Sequence, residues 1–189
     1  MKRISLTQGK EALVDDCDYG YLMQWKWHFH SASNGKSGYA ERTAYKPTKR
    51  QVRMHLVVAA RKGLRTRKID HKNQNKLDNQ RRNLRKATNS QNQGNVGLRS
   101  DNESGYKGVS RNNRDRRWET HFCLRGKNRT LGGWPLTAIG KVKAAYAYDV
   151  AALKKFKKHA SINHASKLLD ASIKRQIERH VIDHLKSYQ

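Results

Sequence analysis

The chain has 189 residues, and its 41 Lys and Arg against 15 Asp and Glu give a formal net charge of +26. Hydrophobic residues make up only 35% of the sequence, which predicts small cores rather than one large core. A positive excess of this size favours a polyanionic partner such as nucleic acid. Apolar runs are too short to span a bilayer, and no segment has the apolar face of a membrane-surface helix, so we expect no membrane partner.

The N-terminus and the cysteines bear on the compartment. The first ten residues, M-K-R-I-S-L-T-Q-G-K, lack the apolar stretch of a signal peptide. Cys17 and Cys123 lie far apart, which favours a reducing compartment and gives neither a disulfide framework nor the spacing of a zinc finger. We therefore expect an intracellular, cytoplasmic protein that is not secreted.

The N-terminal part of the chain has the pattern of a small β-rich module. Strand candidates occupy residues 2–6, 39–45 and 51–56, and Trp25, Trp27 and Phe29 alternate with polar residues as in a half-buried strand. The acidic residues Asp15, Asp16 and Asp18 admit a second metal site, but turn formation is the favoured interpretation.

A short helix is predicted at residues 54–61, ended by Gly63. His55 stands at its start. Two interpretations of His55 stay open: a phosphate contact or partner of the polar cluster that follows, and a packed structural histidine.

The most informative stretch covers residues 69–95, I-D-H-K-N-Q-N-K-L-D-N-Q-R-R-N-L-R-K-A-T-N-S-Q-N-Q-G-N. A β-favouring run ends in Asp70 and His71, and a polar loop then leads to a short strand after Asn83. The tetrad Thr88-Asn89-Ser90-Gln91 is a capping box, which places Asn92 in the first turn of a helix. Strand, loop, strand and helix are therefore expected to bring four polar side chains to one point: Asp70, His71, Asn83 and Asn92.

These four side chains suit the hydrolysis of a phosphodiester. Asp70 and Asn92 supply oxygen ligands for one divalent metal ion, with magnesium favoured and manganese as the alternative. His71 can take a proton from an attacking water near neutral pH, and Asn83 can fix the tautomer of its ring. The competing interpretation is a polar, Asn-rich surface loop beside an ordinary helix cap.

The spacing resembles that of the HNH (ββα-metal) nucleases, in the branch that includes homing endonucleases of phages and mobile elements. Asn83 follows His71 by twelve residues and Asn92 follows Asn83 by nine, within D-N-x-R-x-N-L-R-x-A-T-x-x-Q-N-x-x-N. The resemblance implies that Asp70 and Asn92 hold the metal, that His71 is the general base and that Asn83 orients it. For a phage-encoded chain, the compartment is the host cell cytoplasm.

The second half of the chain predicts three strands and a helix. Residues 105–110 begin the first strand and residues 116–124, which alternate strongly, form the second. Residues 125–128 form a hairpin turn, and residues 129–134 return as the third strand. Thr137 can cap a helix that runs to about residue 158. Its predicted apolar face consists of Ile139, Val142, Tyr146, Val150 and Leu153. The sheet face opposite this helix is expected to be basic and exposed.

This order resembles the APETALA/ethylene-responsive-factor DNA-binding domain. The matching residues are Tyr106-Lys107-Gly108-Val109, Trp118, Leu131-Gly132-Gly133-Trp134, Ala144-Ala145-Ala147-Tyr148-Asp149-Ala151-Ala152 and Ala160 to Asn163. The resemblance implies that the sheet enters the major groove of double-stranded DNA. Strand parity then predicts contacts from Arg117, Glu119, His121 and Arg125, joined by Arg114 from the preceding loop. Phosphates are expected to be held by Arg111, Lys127 and Arg129.

The sequence thus predicts an α+β protein in five parts. These are an N-terminal β-rich module (1–52), a ββα-metal HNH core (53–96), a linker (97–104), a three-stranded antiparallel sheet packed on one helix (105–163) and a C-terminal helix (164–189). The final helix carries Leu169, Ile173, Ile177, Val181 and Leu185 at spacings of four, which favours packing within a monomer, with a dimer seam as the alternative.

The predicted function is that of a metal-dependent DNA endonuclease of the homing or mobile-element kind. Two other classes stay open at this point. One is a non-catalytic, sequence-specific DNA-binding regulator, which would not need the four polar side chains together. The other is an RNA-binding protein, since positive charge alone does not separate the two nucleic acids.

Overall fold

The computed structural model describes residues 1–31, 37–66 and 68–188 and divides the chain into two compact units, residues 1–92 and 93–189. Both units combine helices with antiparallel sheets, so the α+β class is confirmed. The division differs from the predicted parts. Residues 1–52 share one unit with the segment that follows them, and residues 97–104 belong to the second unit.

Unit 1 contains seven short strands and two whole α-helices among its described residues: β1 (Lys2–Ser5), β2 (Glu11–Val14), α1 (Asp16–Leu22), β3 (His28–Ser31), β4 (Gly38–Ala44), β5 (Arg50–Arg53), α2 (Met54–Arg61), β6 (Ile69–His71) and β7 (Leu84–Lys86). Helix α3 (Asn89–Gly94) begins in this unit, and its last two residues belong to unit 2. The strands form a β1–β2 hairpin, a β3–β4–β5 meander and a β6–β7 hairpin. One core joins these sheets with α1 and α2 through the fully buried side chains of Leu22, Met54, Val58 and Leu84.

The predicted N-terminal strands occur with shifted ends. The candidate at residues 51–56 is wrong in its second half, because α2 begins at Met54 as the helix prediction for residues 54–61 requires. Helix α1 begins within the acidic cluster. Asp16 and Asp18 lie in its first turn, where their negative charge interacts favourably with the positive end of the helix dipole. The polar composition of residues 31–38 predicts a loop between the strands, and residues 32–36 of this segment lie outside the described residues.

The polar loop between β6 and β7, residues 72–83, is fixed to β2 by its backbone. The amide of Leu13 donates to the carbonyl of Leu77 at 2.9 Å, and the amide of Asn79 donates to the carbonyl of Leu13 at 2.8 Å. Loops of this polarity usually run over the surface with few backbone partners. Here the β1–β2 hairpin supplies those partners, so the loop is fixed to the rest of unit 1.

Unit 2 contains β8 (Val109–Asn112), β9 (Arg117–Leu124), β10 (Lys127–Pro135), α4 (Ala138–Phe156) and α5 (Ala171–Lys186). The strands form an antiparallel sheet in the order β10–β9–β8. Helix α4 packs across the sheet and is capped by Thr137, whose hydroxyl accepts from the amide of Gly140 at 3.1 Å. The three-stranded sheet, its helix and the final helix are therefore confirmed.

The predicted apolar face of α4 is correct only in its middle. Tyr146 is buried and Val142 and Val150 pack against the core, whereas Ile139 and Leu153 are 47% and 48% exposed. The prediction missed the small residues that make up much of the buried face and let the helix lie close to the sheet: Ala144, Ala145, Ala147, Ala151 and Ala152. In α5, by contrast, Ile177, Val181 and Leu185 are buried in the core of unit 2, which confirms the packing interpretation of this helix.

Gly108 and Gly105 form a matched pair for measuring packing in unit 2. Both have a positive φ, +74° and +75°, so alanine at either position carries backbone strain of about 1–2 kcal/mol. A Cβ at Gly108 would lie 2.0 Å from the Tyr148 ring, whereas one at Gly105 meets no atom within 4 Å. We expect Gly108→Ala to lower the free energy of unfolding by about 1–3 kcal/mol more than Gly105→Ala does, because of overpacking. Denaturant unfolding followed by tryptophan fluorescence measures the difference, and equal losses would contradict this account.

Candidate functional site

The site is built on the β6–β7 hairpin and helix α3. Strand register places Asp70 opposite Arg85 and His71 opposite Leu84. The capping box is confirmed: the amide of Gln91 donates to Thr88 Oγ1 at 3.2 Å, and the amide of Thr88 donates to Gln91 Oε1 at 2.8 Å. The helix therefore starts immediately after the second strand, in the predicted order of strand, loop, strand and helix.

His71 is buried and oriented by the loop. Its Nε2 lies 3.2 Å from Asn79 Oδ1. The Asn79 amide group donates to the carbonyl of Leu77 at 3.3 Å, which directs its oxygen toward the ring. In the neutral imidazole Nε2 therefore carries the hydrogen, and Nδ1 is the nitrogen that can accept a proton.

The surroundings of His71 keep the ring neutral. Burial lowers its pKa below the ordinary 6.5, and the ammonium of Lys76 acts in the same direction. The hydrogen bond that the ring donates to Asn79 and the carboxylates of Asp70 and Asp78 act in the opposite direction but do not outweigh burial. At neutral pH the side chain is thus in the form that a general base requires.

The predicted role of Asn83 as the group that orients His71 is corrected. Its amide nitrogen donates to the carbonyl of Asp78 at 2.7 Å and to Asn73 Oδ1 at 2.9 Å, and its oxygen accepts from the amide of Asn73 at 3.1 Å. Asn83 therefore ties the two ends of the loop together. The group that accepts the hydrogen bond of the ring is Asn79, within the loop, so Asn83 acts on His71 only through the loop that it holds.

Two aromatic neighbours of His71 come from outside the motif. The ring of His55 stands edge-on to that of His71 with centroids 5.1 Å apart, and Tyr39 lies 5.2 Å from His55 and 6.4 Å from His71. Burial, and after it the proximity of the His71 imidazole and the Arg53 guanidinium, lowers the pKa of His55 to about 3. His55 is therefore packed and neutral, as the structural interpretation requires, and its ring also contacts His71 of the cluster.

Asp70 and Asn92 carry the oxygen donors that a hard divalent cation prefers. Asp70 Oδ2 accepts from Arg85 Nε at 2.8 Å, which holds the carboxylate in place. Asn92 Oδ1 is buried and has no hydrogen-bond partner among the described residues, an arrangement that costs free energy unless another ligand compensates it. In the described part of the chain no group of three or more His, Cys, Asp or Glu could hold a metal. A carboxylate, an amide oxygen and water are nevertheless an accepted ligand set for magnesium.

The acidic residues at the start of α1 make ion pairs and hydrogen bonds within unit 1, rather than a second metal site or a simple turn. The fully buried carboxylate of Asp18 accepts from Arg61 at 2.8 Å and from Arg81 at 2.7 and 2.8 Å. Asp15 accepts from the backbone amide of Arg81 at 2.7 Å, and Asp16 pairs with the N-terminal amine at 3.0 Å. Asp18 thus links α1 and α2 to the loop that carries Asn79.

Arg117, Glu119 and His121 lie on the outer face of the sheet in unit 2, as their alternation along β9 predicts, but this face is not uniformly basic. Arg117 pairs with Asp115 at 3.1 Å and with Glu119 at 2.8 Å. His121 Nε2 lies 2.8 Å from Ser110 Oγ. The carboxylate of Glu119, whose pKa is lowered by its hydrogen bond from Asn112 and by Arg117, neutralises part of the charge at the centre of this face.

The remaining predicted DNA contacts lie at other places in unit 2. Arg114 and Arg125 occupy the two turns that flank β9, outside the strands. Register pairs three further residues with side chains of the helix-covered face: Arg111 with Trp118, Lys127 with Leu124 and Arg129 with Phe122. Arg129 stacks on the ring of Tyr188 at 4.7 Å. The eight predicted contacts therefore do not share one sheet face.

Comparison of this chain with protein-family models, with curated proteins and with solved structures finds no match. Within the described ranges, no helix combines the length and the apolar character needed to cross a membrane. The function of the chain therefore has to be inferred from the residues of the site.

Proposed function

We propose that this chain is a metal-dependent DNA endonuclease of the HNH kind, associated with a phage or mobile element, that hydrolyses phosphodiester bonds in double-stranded DNA. The observation that carries the proposal is the buried neutral imidazole of His71, oriented through Nε2 by Asn79 and following Asp70 directly on the strand. A histidine with only a packing role would not need a polar loop that fixes its tautomer.

The residues of the site divide the chemistry between them. His71 takes the proton of a water at Nδ1 as the water oxygen forms a bond to phosphorus, and the opposite P–O bond breaks. Asn79 holds the ring through this transfer and stabilises the imidazolium that results. Asp70 and Asn92 would hold the divalent cation, which neutralises charge on the phosphate when bound. Unit 2 would hold the DNA through its basic turns and strand ends.

Magnesium-dependent nicking of supercoiled plasmid tests the proposal, with Asn92→Leu and Asn92→Asp as the informative variants. We expect EDTA to abolish nicking by the wild type. Leucine removes the buried oxygen at nearly constant volume, so the magnesium concentration for half-maximal rate should rise by about 10-fold or more. Aspartate keeps an oxygen at this position and should retain activity.

Two results would contradict the proposal. If Asn92→Leu nicks at the wild-type magnesium requirement, the metal assignment is wrong. If the wild type binds duplex DNA and cuts no substrate under any of these conditions, the chain is a DNA-binding regulator instead.

A further inference from the structure

The ring of Tyr39 connects the N-terminal strands to β6, the strand that carries the proposed base. Tyr39 lies on β4, its ring is 6.4 Å from that of His71, and His55 fills the space beside both rings. The three rings come from three separate elements of unit 1. The strands that precede the motif therefore reach the proposed reaction centre, and they do so with an aromatic surface.

Two cations from different elements lie against this same ring. The guanidinium carbon of Arg53, at the end of β5, is 4.7 Å from the Tyr39 centroid, and Lys76 Nζ, from the loop, is 4.8 Å from it. Both distances are within the range of cation–π contacts. The two positive charges thus lie within about 10 Å of each other, which is the screening length at about 0.1 M salt.

Each cation is held in place while part of it still reaches solvent. Arg53 donates to Glu41 at 2.9 Å, and its side chain remains 49% exposed although that of Glu41 is buried. Lys76 donates to the hydroxyl of Ser37 at 3.3 Å and is half-buried. Within the described residues, the hydroxyl and the ring that Lys76 contacts are both neutral groups. The positive charge of this pair is therefore only partly balanced by the protein, and a bound anion would balance the rest.

We propose that Lys76 and Arg53, held against the Tyr39 ring, form a phosphate-binding site that grips the backbone of the DNA strand beside His71. The inference rests on the proposed function, which requires a phosphodiester at the imidazole. A lysine gives a mobile point charge and an arginine a flat fork, so the pair suits the non-bridging oxygens of a backbone phosphate. The N-terminal strands then have a definite task, since they supply Arg53 and the aromatic platform.

The test measures affinity for a short fluorescent DNA duplex as a function of salt, in a His71→Ala background that prevents cleavage. Removing one phosphate contact with Lys76→Gln should weaken binding by about 10-fold and reduce the slope of log affinity against log salt by about one. Lys10→Gln is the matched control, because it removes the same charge from an exposed turn of the same unit. Its slope should equal that of the parent.

Tyrosine and arginine variants distinguish a loss of the phosphate-binding site from a general loss of folding. Tyr39→Phe keeps the ring and should bind like the parent, whereas Tyr39→Leu should reproduce the loss seen with Lys76→Gln. Arg53→Lys keeps the charge opposite Glu41 and should retain most of the affinity. Thermal unfolding by circular dichroism verifies that each variant is folded, and any variant that unfolds at the assay temperature is replaced by its conservative partner.

The results distinguish this site from the nuclease itself. Equal salt slopes for Lys76→Gln and Lys10→Gln, in a protein whose wild type nicks DNA, would overturn the phosphate site and leave the nuclease in place. A reduced slope for Lys76→Gln, in a protein whose wild type never nicks DNA, would support the phosphate site and remove the nuclease.

Discussion

Replacing His71 with alanine is expected to slow magnesium-dependent nicking by about 10²- to 10⁴-fold, the contribution of a positioned general base. The loss should fall on the chemical step, because the ring is buried and makes its orienting hydrogen bond within the protein. Single-turnover cleavage of a saturating duplex measures it. The wild-type rate should fall with pH only below the ordinary histidine range, since burial lowers the pKa of His71. A variant without the base should lack this dependence.

Asn79→Ala supplies the control that identifies His71 as the group through which the loop acts. Alone, Asn79→Ala should slow cleavage by about 10- to 100-fold by releasing the ring. Combined with His71→Ala it should add nothing further, because a positioning residue has no effect once the base is absent. If the two rate losses multiply in the double variant, Asn79 acts independently of His71. If His71→Ala nicks DNA at the wild-type rate, the imidazole has no part in the mechanism.

The parts of the site that the sequence predicts correctly are local in the chain. The capping box depends on Thr88 and Gln91, three residues apart, so neighbouring residues suffice to place the start of α3. The predicted order of strand, loop, strand and helix between Ile69 and Gly94 likewise depends on neighbouring segments of the chain. Secondary structure of this kind depends on short-range hydrogen bonds, which the residue types predict.

What the sequence misses depends on how a loop or a distant strand folds back. Asn79 and Asn83 are equivalent by residue type, and only the attachment of the loop to β2 determines which of them meets the ring of His71. Tyr39 and His55 precede the motif and reach it through the shared core of unit 1. Neither the alternation of apolar and polar residues nor the spacing of a motif predicts such long-range contacts.

The error on α4 has a different origin. Large apolar residues such as Ile139 and Leu153 dominate a hydrophobic pattern, yet a helix that must lie close to a sheet buries its alanines. The tightest packing surface of unit 2 therefore has the weaker hydrophobic signal. Similarly, the pairing of Glu119 with Arg117 in three dimensions removes charge that composition alone assigns to the sheet face.

Replacing Asp18 with alanine is expected to lower the free energy of unfolding by about 3–5 kcal/mol, the cost of breaking a buried ion pair. The variant leaves the guanidinium groups of Arg61 and Arg81 without the fully buried carboxylate that both now bind. Asp16→Ala is the matched control on the same helix. Because Asp16 is 66% exposed in its pair with the N-terminal amine, its loss should stay below about 1 kcal/mol. Urea unfolding at pH 7 measures both.

The pH dependence of this difference tests its cause. Burial by itself opposes ionisation of Asp18, but the hydrogen bonds and charges of Arg81 and Arg61 outweigh burial, so its pKa lies below the ordinary 3.8. A carboxylate with a lowered pKa stabilises the fold fully above its unfolded pKa and loses this effect as pH falls through the folded value. The gap between wild type and Asp18→Ala should therefore be constant from neutral pH down to about pH 5 and shrink only below about pH 4. A gap that does not change in acid would mean that lost packing, rather than lost charge, destabilises the variant.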